Sequence, residues 1–405
     1  MSMEIEYRSV ADFGEIITGK TPSTSVDEFW SGEIPFITPT DIVGYDMRYI
    51  FSTERQITDE GANSQINTIL PKNTICVSCI ASIGKMCITS AAQSITNQQI
   101  NSIVVKKGYD YQYLFYLLRY FLPYIQLIGG GTGSGTPIIS KTKFSKLKYP
   151  VCVDKAIQAR IAVILSTYDS LIEVNNKRIK VLEQMAENLY KEWFVRFRFP
   201  GHETAEFENG IPKRWAYRRA DEVIDFNPTL KTGSQTEFTI IPMEALSTNS
   251  MVLDSSCFVR QDSISGRRSQ NGDTLLAKIT PCLENGKTGF VMGMPENEVL
   301  GGSTEFVVMR SKALTPHYVY CIARSYYFRQ TAILSMNGAD GRQRVDEEKL
   351  KSTKIVQPEK TVLDRFETIV TPIFDGVYQM VQENKNLMKQ RDLLLPRLMS
   401  GKLEV

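Results

Sequence analysis

The chain has 405 residues, 42% hydrophobic and 23% charged, with a formal net charge of +2. That length supports two or three domains with cores of their own, and the composition excludes a fibrous or low-complexity protein. The charge excludes a globally basic body: residues 1–150 hold 13 Lys and Arg against 13 Asp and Glu, and residues 201–355 hold 19 against 19, so any nucleic-acid contact must come from local patches.

The opening Met1-Ser2-Met3-Glu4-Ile5-Glu6-Tyr7 has no apolar signal core, and no run of about 18 apolar residues follows, so a cytoplasmic location is expected. Gly14-Glu15-Ile16-Ile17-Thr18-Gly19-Lys20-Thr21 matches the phosphate-loop pattern. That motif needs a buried strand before it and a helix after it; Pro22 and the polar residues 23–25 do not read as a helix, so a plain turn is expected. A strand is expected at Thr74-Ile75-Cys76-Val77-Ser78-Cys79-Ile80, a second at residues 101–105, and an aromatic helix at residues 111–118. A glycine-rich loop follows at residues 129–135, leading into Lys141, Lys143, Lys146 and Lys148. The second half repeats this order at an offset of about 206: strands at residues 274–279 and 305–309, a helix at 318–323, a loop Asn337-Gly338-Ala339-Asp340-Gly341, and then Arg342, Arg344, Lys349, Lys351 and Lys354. Such a long repeat indicates two related domains rather than a solenoid.

Each half closes on a long amphipathic helix. In the first, apolar residues fall at steps of four and three through Ile161, Leu165, Tyr168, Ile172, Asn175, Ile179, Leu182, Ala186, Leu189 and Trp193; in the second, through Phe366, Val370, Ile373, Val377, Met380, Asn384, Leu387, Arg391, Leu394 and Leu398. Each is a heptad seam with one Asn. A buried Asn facing leucine would leave its amide unpaired, at a cost of roughly 1–3 kcal/mol. Setting Asn175 against Asn384 in an antiparallel pair avoids that, puts Ile161 opposite Leu398, Trp193 opposite Phe366 and Arg391 opposite Tyr168, and predicts a stiff rod of roughly 48 Å at 1.5 Å per residue. The alternative is that each seam packs on its own domain or on a partner. A rod with two unlike heads and an approximate twofold axis suits a target of two half-sites at fixed spacing.

Seven scattered cysteines argue against a disulfide framework, and Cys76-x-x-Cys79 with only Cys87 nearby and two histidines in the chain falls short of a four-ligand metal site; no metal is expected. Asn227-Pro228-Thr229-Leu230 lacks the second proline and the aromatic residue of a methyltransferase loop, and no glycine fingerprint for S-adenosylmethionine follows a strand. No catalytic residues and no cofactor-binding residues are therefore assigned.

Several stretches resemble a known family. Gly19-Lys20-Thr21-Pro22-Ser23 and Trp30-Ser31-Gly32-Glu33-Ile34-Pro35-Phe36-Ile37-Thr38-Pro39-Thr40-Asp41-Ile42 look like the start of its recognition domain, residues 135–150 with Gln158-Ala159-Arg160-Ile161 like its domain-to-helix junction, Asn176-Lys177-Arg178-Ile179 and Asn384-Lys385-Asn386-Leu387 like its helix motifs, and Leu394-Leu395-Pro396-Arg397-Leu398-Met399-Ser400-Gly401-Lys402-Leu403 like its end. These resemble the DNA specificity subunits of type I restriction–modification systems. The second half departs at Phe226-Asn227-Pro228 and Leu363-Asp364-Arg365-Phe366. The resemblance implies an α+β, pseudo-twofold chain: target-recognition domains at residues 1–153 and 199–358 separated by a long antiparallel two-helix coiled coil, residues 154–198 and 359–405. It implies sequence-specific recognition of a bipartite double-stranded DNA target and no catalysis in this chain. Two modification subunits would dock on the helices and bring S-adenosylmethionine; restriction subunits, with ATP and magnesium, would join them. The rival reading is a non-catalytic interaction scaffold with a helical docking rod and no DNA reading.

DNA contacts need Lys, Arg and amide side chains. The candidates are Lys85, Asn97, Gln98, Gln99, Lys141 and Lys143 in the first domain, and Arg267, Arg268, Lys278, Lys287, Arg342 and Arg344 in the second. Arg267-Arg268, between Gly266 and Ser269, is expected in a polar loop that enters a groove. The run Asn97-Gln98-Gln99 either reads bases or pairs within the fold, and the glycine loops either approach phosphates or serve as connectors.

Overall fold

The strands read from the sequence form, and they pair in the same order in both halves. The structure, a computed structural model, describes residues 3–130, 136–339 and 341–405. Within it Met1–Glu173 and Lys385–Val405 form one compact unit and Val174–Asn384 another.

In the first unit the main sheet runs Gly14–Thr18, Ile100–Val105, Ile75–Ser78, Met86–Thr89, Tyr49–Ile50; in the second it runs Ile224–Phe226, Phe306–Ser311, Thr274–Ala277, Thr288–Phe290. The central strands Ile75–Ser78 and Thr274–Ala277 are buried at every position, which explains their unbroken run of small and apolar residues: both faces are covered. A second sheet accompanies each: Arg55–Ile57, Trp30–Ile37, Gln93–Thr96, Leu70–Pro71 in the first unit, and Val259–Gln261, Phe238–Ile241, Leu300–Gly302, Arg267–Ser269 in the second. In both, the middle pair is parallel and the outer pairs antiparallel.

The aromatic helices span Tyr111–Tyr120 and Pro316–Arg324. The first starts at Asp110, whose side chain accepts from the Tyr113 amide (2.9 Å), an N-cap that satisfies a free helix donor. Residues 113–118 are all buried, sharing one core with Ile161 and Leu165 of the long central helix and Leu395 and Leu398 of the C-terminal helix.

The central helix covers Lys155–Tyr190 and ends in a single π turn, Lys191–Val195. The wider turn lets two consecutive aromatics point inward: Trp193 lies 6.0 Å from Phe366 and Phe194 lies 4.5 Å from Tyr318, between ring centroids. The C-terminal helix covers Lys360–Met399. Within each unit the two helices run antiparallel. In the second unit Asn175 Nδ2 donates to Asn384 Oδ1 (3.0 Å), both side chains being buried, so the register expected from the seams is the one found. Asn175 also donates to Glu383, and Asn384 Nδ2 donates to Asn176 Oδ1 (2.9 Å). Ile179 and Val377 lie buried in that unit's main core, with Leu182 and Met380 packed against it, while Ile172 and Leu387 are half-buried in the first unit.

Arg391, set opposite Tyr168 by the register, gives its guanidinium to Asp169 Oδ1 (2.5 Å), one residue along, because a buried cation needs a carboxylate. One expectation needs correction. Arg267 and Arg268 lie not in a loop but in the edge strand Arg267–Ser269, paired to Leu300–Gly302. The glycines on both sides make this possible: a Cβ on Gly266 would sit 1.8 Å from the Gly302 carbonyl oxygen, so only bare backbone allows the strands to meet.

Candidate nucleic-acid interface

The six candidates of the first unit, scattered over residues 85–143, gather at one end of its main sheet. The strand Ile75–Ser78 ends at Cys79, whose amide donates to the Gln99 carbonyl (2.8 Å) and whose carbonyl accepts from the Ile139 amide (2.8 Å). Ile80 bridges Ile138. Ser140 then caps the helix Lys141–Ser145 by accepting from the Lys143 amide (3.2 Å). This brings the turn at residues 97–99, Lys85 and the lysines of the capped helix together.

The side chains there bond chiefly to neutral partners. Asn97 Nδ2 donates to Gln99 Oε1 (3.0 Å), its Oδ1 accepts from the Gln99 amide (3.0 Å), and Gln98 Oε1 accepts from the Thr21 hydroxyl (2.9 Å). Lys85 Nζ reaches the Pro39 carbonyl (3.4 Å) and Lys143 Nζ the Ile128 carbonyl (2.9 Å). Lys141 is exposed. The amide run thus pairs within the fold, and the lysines keep donors for an anion. Residues 131–135 of the glycine-rich loop lie outside the described residues, as does Asp340 of its counterpart.

The second unit builds the same end with the same backbone bonds. The Lys278 amide donates to the Glu305 carbonyl (3.0 Å), the Val345 amide donates to the Lys278 carbonyl (2.9 Å), and Ile279 bridges Arg344. The side chains differ. Glu347 accepts from Arg267 (2.8 Å), Lys278 (2.9 Å) and Asn227 (2.7 Å). Glu305 accepts from Arg344 Nε at 3.0 Å on both carboxylate oxygens and from Nη2 at 2.7 Å. The Arg344 guanidinium holds the Glu305 carboxyl below its usual range, with burial opposing the shift and Lys278 and Arg267 adding to it. Arg268 donates to the Leu230 carbonyl (2.5 Å) and Lys287 Nζ to the Met243 carbonyl (3.2 Å). Arg342 is exposed. Two carboxylates hold Arg267, Lys278 and Arg344 in fixed positions, which leaves the cluster a net positive charge. The sequence pattern pointed to the three cations but not to Glu305 and Glu347; Glu347 lies within the basic stretch and Glu305 well before it, and their role is legible only once the fold brings residues 267, 278, 305, 344 and 347 together.

The phosphate-loop match does not build a phosphate loop. Its first five residues are the edge strand Gly14–Thr18, paired antiparallel to Ile100–Val105, and the Gly19 backbone packs on Thr96 and Asn97 so closely that a Cβ would lie 2.2 Å from the Thr96 carbonyl oxygen. Cys76 and Cys87 face each other across neighbouring strands, and both are fully buried; the Cys87 thiol is pushed well up by its bond with Cys76 and by burial. Among the described residues no group of three or more Cys, His, Asp and Glu is placed to hold a metal ion, and no helix is long and apolar enough to cross a membrane.

Residues 3–184 match the family described as the type I restriction modification DNA specificity domain. The type I restriction enzyme MjaIX specificity subunit of Methanocaldococcus jannaschii is 28% identical, over 99% of this chain and 94% of its own length. The HindI specificity subunit of Haemophilus influenzae is 31% identical over 44% of this chain and 39% of its own. Among solved structures, the S subunit of a type I restriction–modification system from M. genitalium shares the fold with a TM-score of 0.60 at 13% identity, covering 98% of this chain and 96% of that one.

Proposed function

The chain is a type I restriction–modification DNA specificity subunit, and from that premise we propose that residues 1–153 and 199–358 are two target-recognition domains that read the two unlike halves of a bipartite double-stranded DNA site. The observation that carries this reading is the repeated backbone frame with unlike side chains at its tip: Gln99 stands where the second unit has Glu305, Cys79 where it has Lys278, and Ile138 where it has Arg344. Base edges are distinguished by the donors and acceptors set against them, so one frame with two side-chain sets reads two sequences.

The chain supplies the address and no catalysis of its own. Two modification subunits, carrying S-adenosylmethionine, dock on the helices, and restriction subunits with ATP and magnesium join them. The contacts are Lys141 and Lys143 in the first domain and Arg267, Arg268, Arg342 and Arg344 in the second, with Lys85, residues 97–99, Lys278 and Lys287 shaping the tips around them.

Co-expression with the modification subunits, followed by genome-wide mapping of methylated positions, tests the reading. A split motif with a fixed gap is the expected result. The pair of changes Arg267→Ala and Arg268→Ala should then abolish or relax one half of the motif and leave assembly intact. Methylation without a split motif, or a motif untouched by the double change, refutes the assignment.

A further inference from the structure

The second sheet of the first unit carries a device that the tip does not explain. In the strand Trp30–Ile37, both Trp30 and Ile34 lie opposite Ile57, so residues 31–33 loop out of the ladder. Ser31 takes a left-handed backbone (φ 65°), and a Cβ on Gly32 would sit 2.3 Å from the Ile57 carbonyl oxygen. A bulge of this kind re-aims a side chain at the cost of paired backbone. Its effect is to set Trp30 beside Phe36, edge to face with ring centroids 5.3 Å apart, with the indole Nε1 held by the Ser23 carbonyl (3.0 Å). Over that indole lies the guanidinium of Arg55, 3.5 Å from the ring centroid.

Arg55 is exposed, and its guanidinium has no hydrogen-bond or ion-pair partner among the described residues. One face is therefore fixed by a cation–π contact while all five N–H donors remain free. Stacking fixes the fork without consuming it, so little freedom is lost when a pair of acceptors arrives. The site adjoins the tip: the neighbouring Glu54 amide donates to Asp41 (2.7 Å), in the turn whose Pro39 carbonyl Lys85 reaches.

The second unit lacks the device. Phe36 pairs with Arg55; its counterpart Ile240, in the same place between parallel and antiparallel neighbours, pairs with Val259. A stack needed by the frame itself would recur. We propose that Arg55, positioned by Trp30, contacts the DNA through a paired hydrogen-bond acceptor, either the O6/N7 edge of a guanine or a backbone phosphate, and does so for the half-site read by the first domain alone. This rests on the DNA-reading assignment above.

The test uses the complex assembled with its modification subunits, a duplex bearing the motif that the wild-type complex methylates, and a scrambled duplex of equal length. Arg55→Ala should leave thermal unfolding unchanged and weaken binding. If the partner is guanine, cognate affinity falls roughly tenfold to a hundredfold, the scrambled duplex is unaffected, and methylation relaxes at one position of the first half-site. If it is a phosphate, both duplexes weaken together and the salt slope falls by about 0.9. Trp30→Leu should reproduce part of the loss and Trp30→Tyr restore it. A wild-type complex that binds no duplex overturns the underlying assignment. A wild-type complex that binds, with Arg55→Ala equal to it in affinity, salt slope and motif, overturns this inference alone; a normal Trp30→Leu beside a weakened Arg55→Ala removes the positioning role.

Discussion

The two units share a backbone frame and distribute their charges in opposite ways. In the first, the ions lie in the helix seam. Arg391, with 2% of its side chain exposed, bonds Asp169 (2.5 Å), Asp46 (3.2 Å) and Asp392 (2.9 Å), and Asp169 also accepts from the Tyr116 hydroxyl (2.5 Å). Arg48 clamps Glu173 with two bonds of 2.9 Å. That unit's tip holds amides and lysines whose observed partners are backbone carbonyls. In the second unit the seam centres on the amide pair Asn175 and Asn384, with Glu383 also accepting from Asn175, and a cluster of ions sits at the tip around Glu305 and Glu347. The difference separates what the fold requires from what recognition requires. Strand order and the backbone bonds at the tip recur; side-chain charge does not, and is free to follow each half's target.

The largest effect should come from the seam of the first unit. Arg391→Ala leaves Asp169, 5% exposed, buried without its counter-ion, which costs about 3–5 kcal/mol. Burial opposes the charge on Arg391, yet Asp169 and Asp392 outweigh it and keep the guanidinium firmly protonated. Urea unfolding should show the loss, and Arg391→Met combined with Asp169→Asn, which removes both charges, should recover most of it. A single change costing under about 1 kcal/mol would mean the seam tolerates an orphaned carboxylate and is wetter than its burial indicates.

At the second tip, Glu347→Gln sharpens the comparison by making that tip resemble the first. Arg267 and Lys278 lose their shared counter-ion. The group is a quarter exposed, so the stability cost is smaller, about 1–2 kcal/mol after allowance for solvent screening. Non-specific duplex affinity should rise, and the salt slope should steepen by up to about 0.9 for each cation released. An unchanged slope would show that Arg267 and Lys278 never reach the DNA and serve the fold alone.

The sequence made the architecture legible because periodicity does not depend on tertiary context. The heptad steps through Asn175 and Asn384 pointed to an antiparallel partner and a register, because pairing the two amides avoids leaving either one facing leucine. The strands at residues 75–78 and 274–277 were legible for a related reason: full burial leaves a run of small and apolar residues with few polar ones. Charged contacts were not legible, because their meaning depends on neighbours far away in the chain. Arg267 and Arg268 read as a polar loop, yet they pair with Gly302 and Gly301 as an edge strand, which the close approach of Gly266 to the Gly302 carbonyl allows. Lys278 read as a candidate DNA contact, and only the structure shows that Glu347, 69 residues later, holds it. Trp30 read as part of a family motif, and only the bulge at residues 31–33 shows that it carries Arg55.

The smallest effect should appear in the acid limb of the stability curve. The Arg344 guanidinium, with Lys278 and Arg267 beyond it, holds the Glu305 carboxyl below its usual range against the opposing effect of burial. A carboxylate depressed in the folded state stabilises it above the unfolded pKa, about 4.3 for glutamate, and that stabilisation is lost as pH falls through the folded value. Arg344→Ala should therefore cost stability near neutral pH, and the gap between wild type and variant should close below about pH 4. Half of the Arg344 side chain is exposed, so the gap should be a fraction of that for Glu347→Gln and should shrink in high salt. The equivalent change in the first unit, Ile138→Ala, removes no charge and should give a pH-independent difference. A pH-dependent gap at Ile138, or none at Arg344, would break the claim that only the second tip is held by ions.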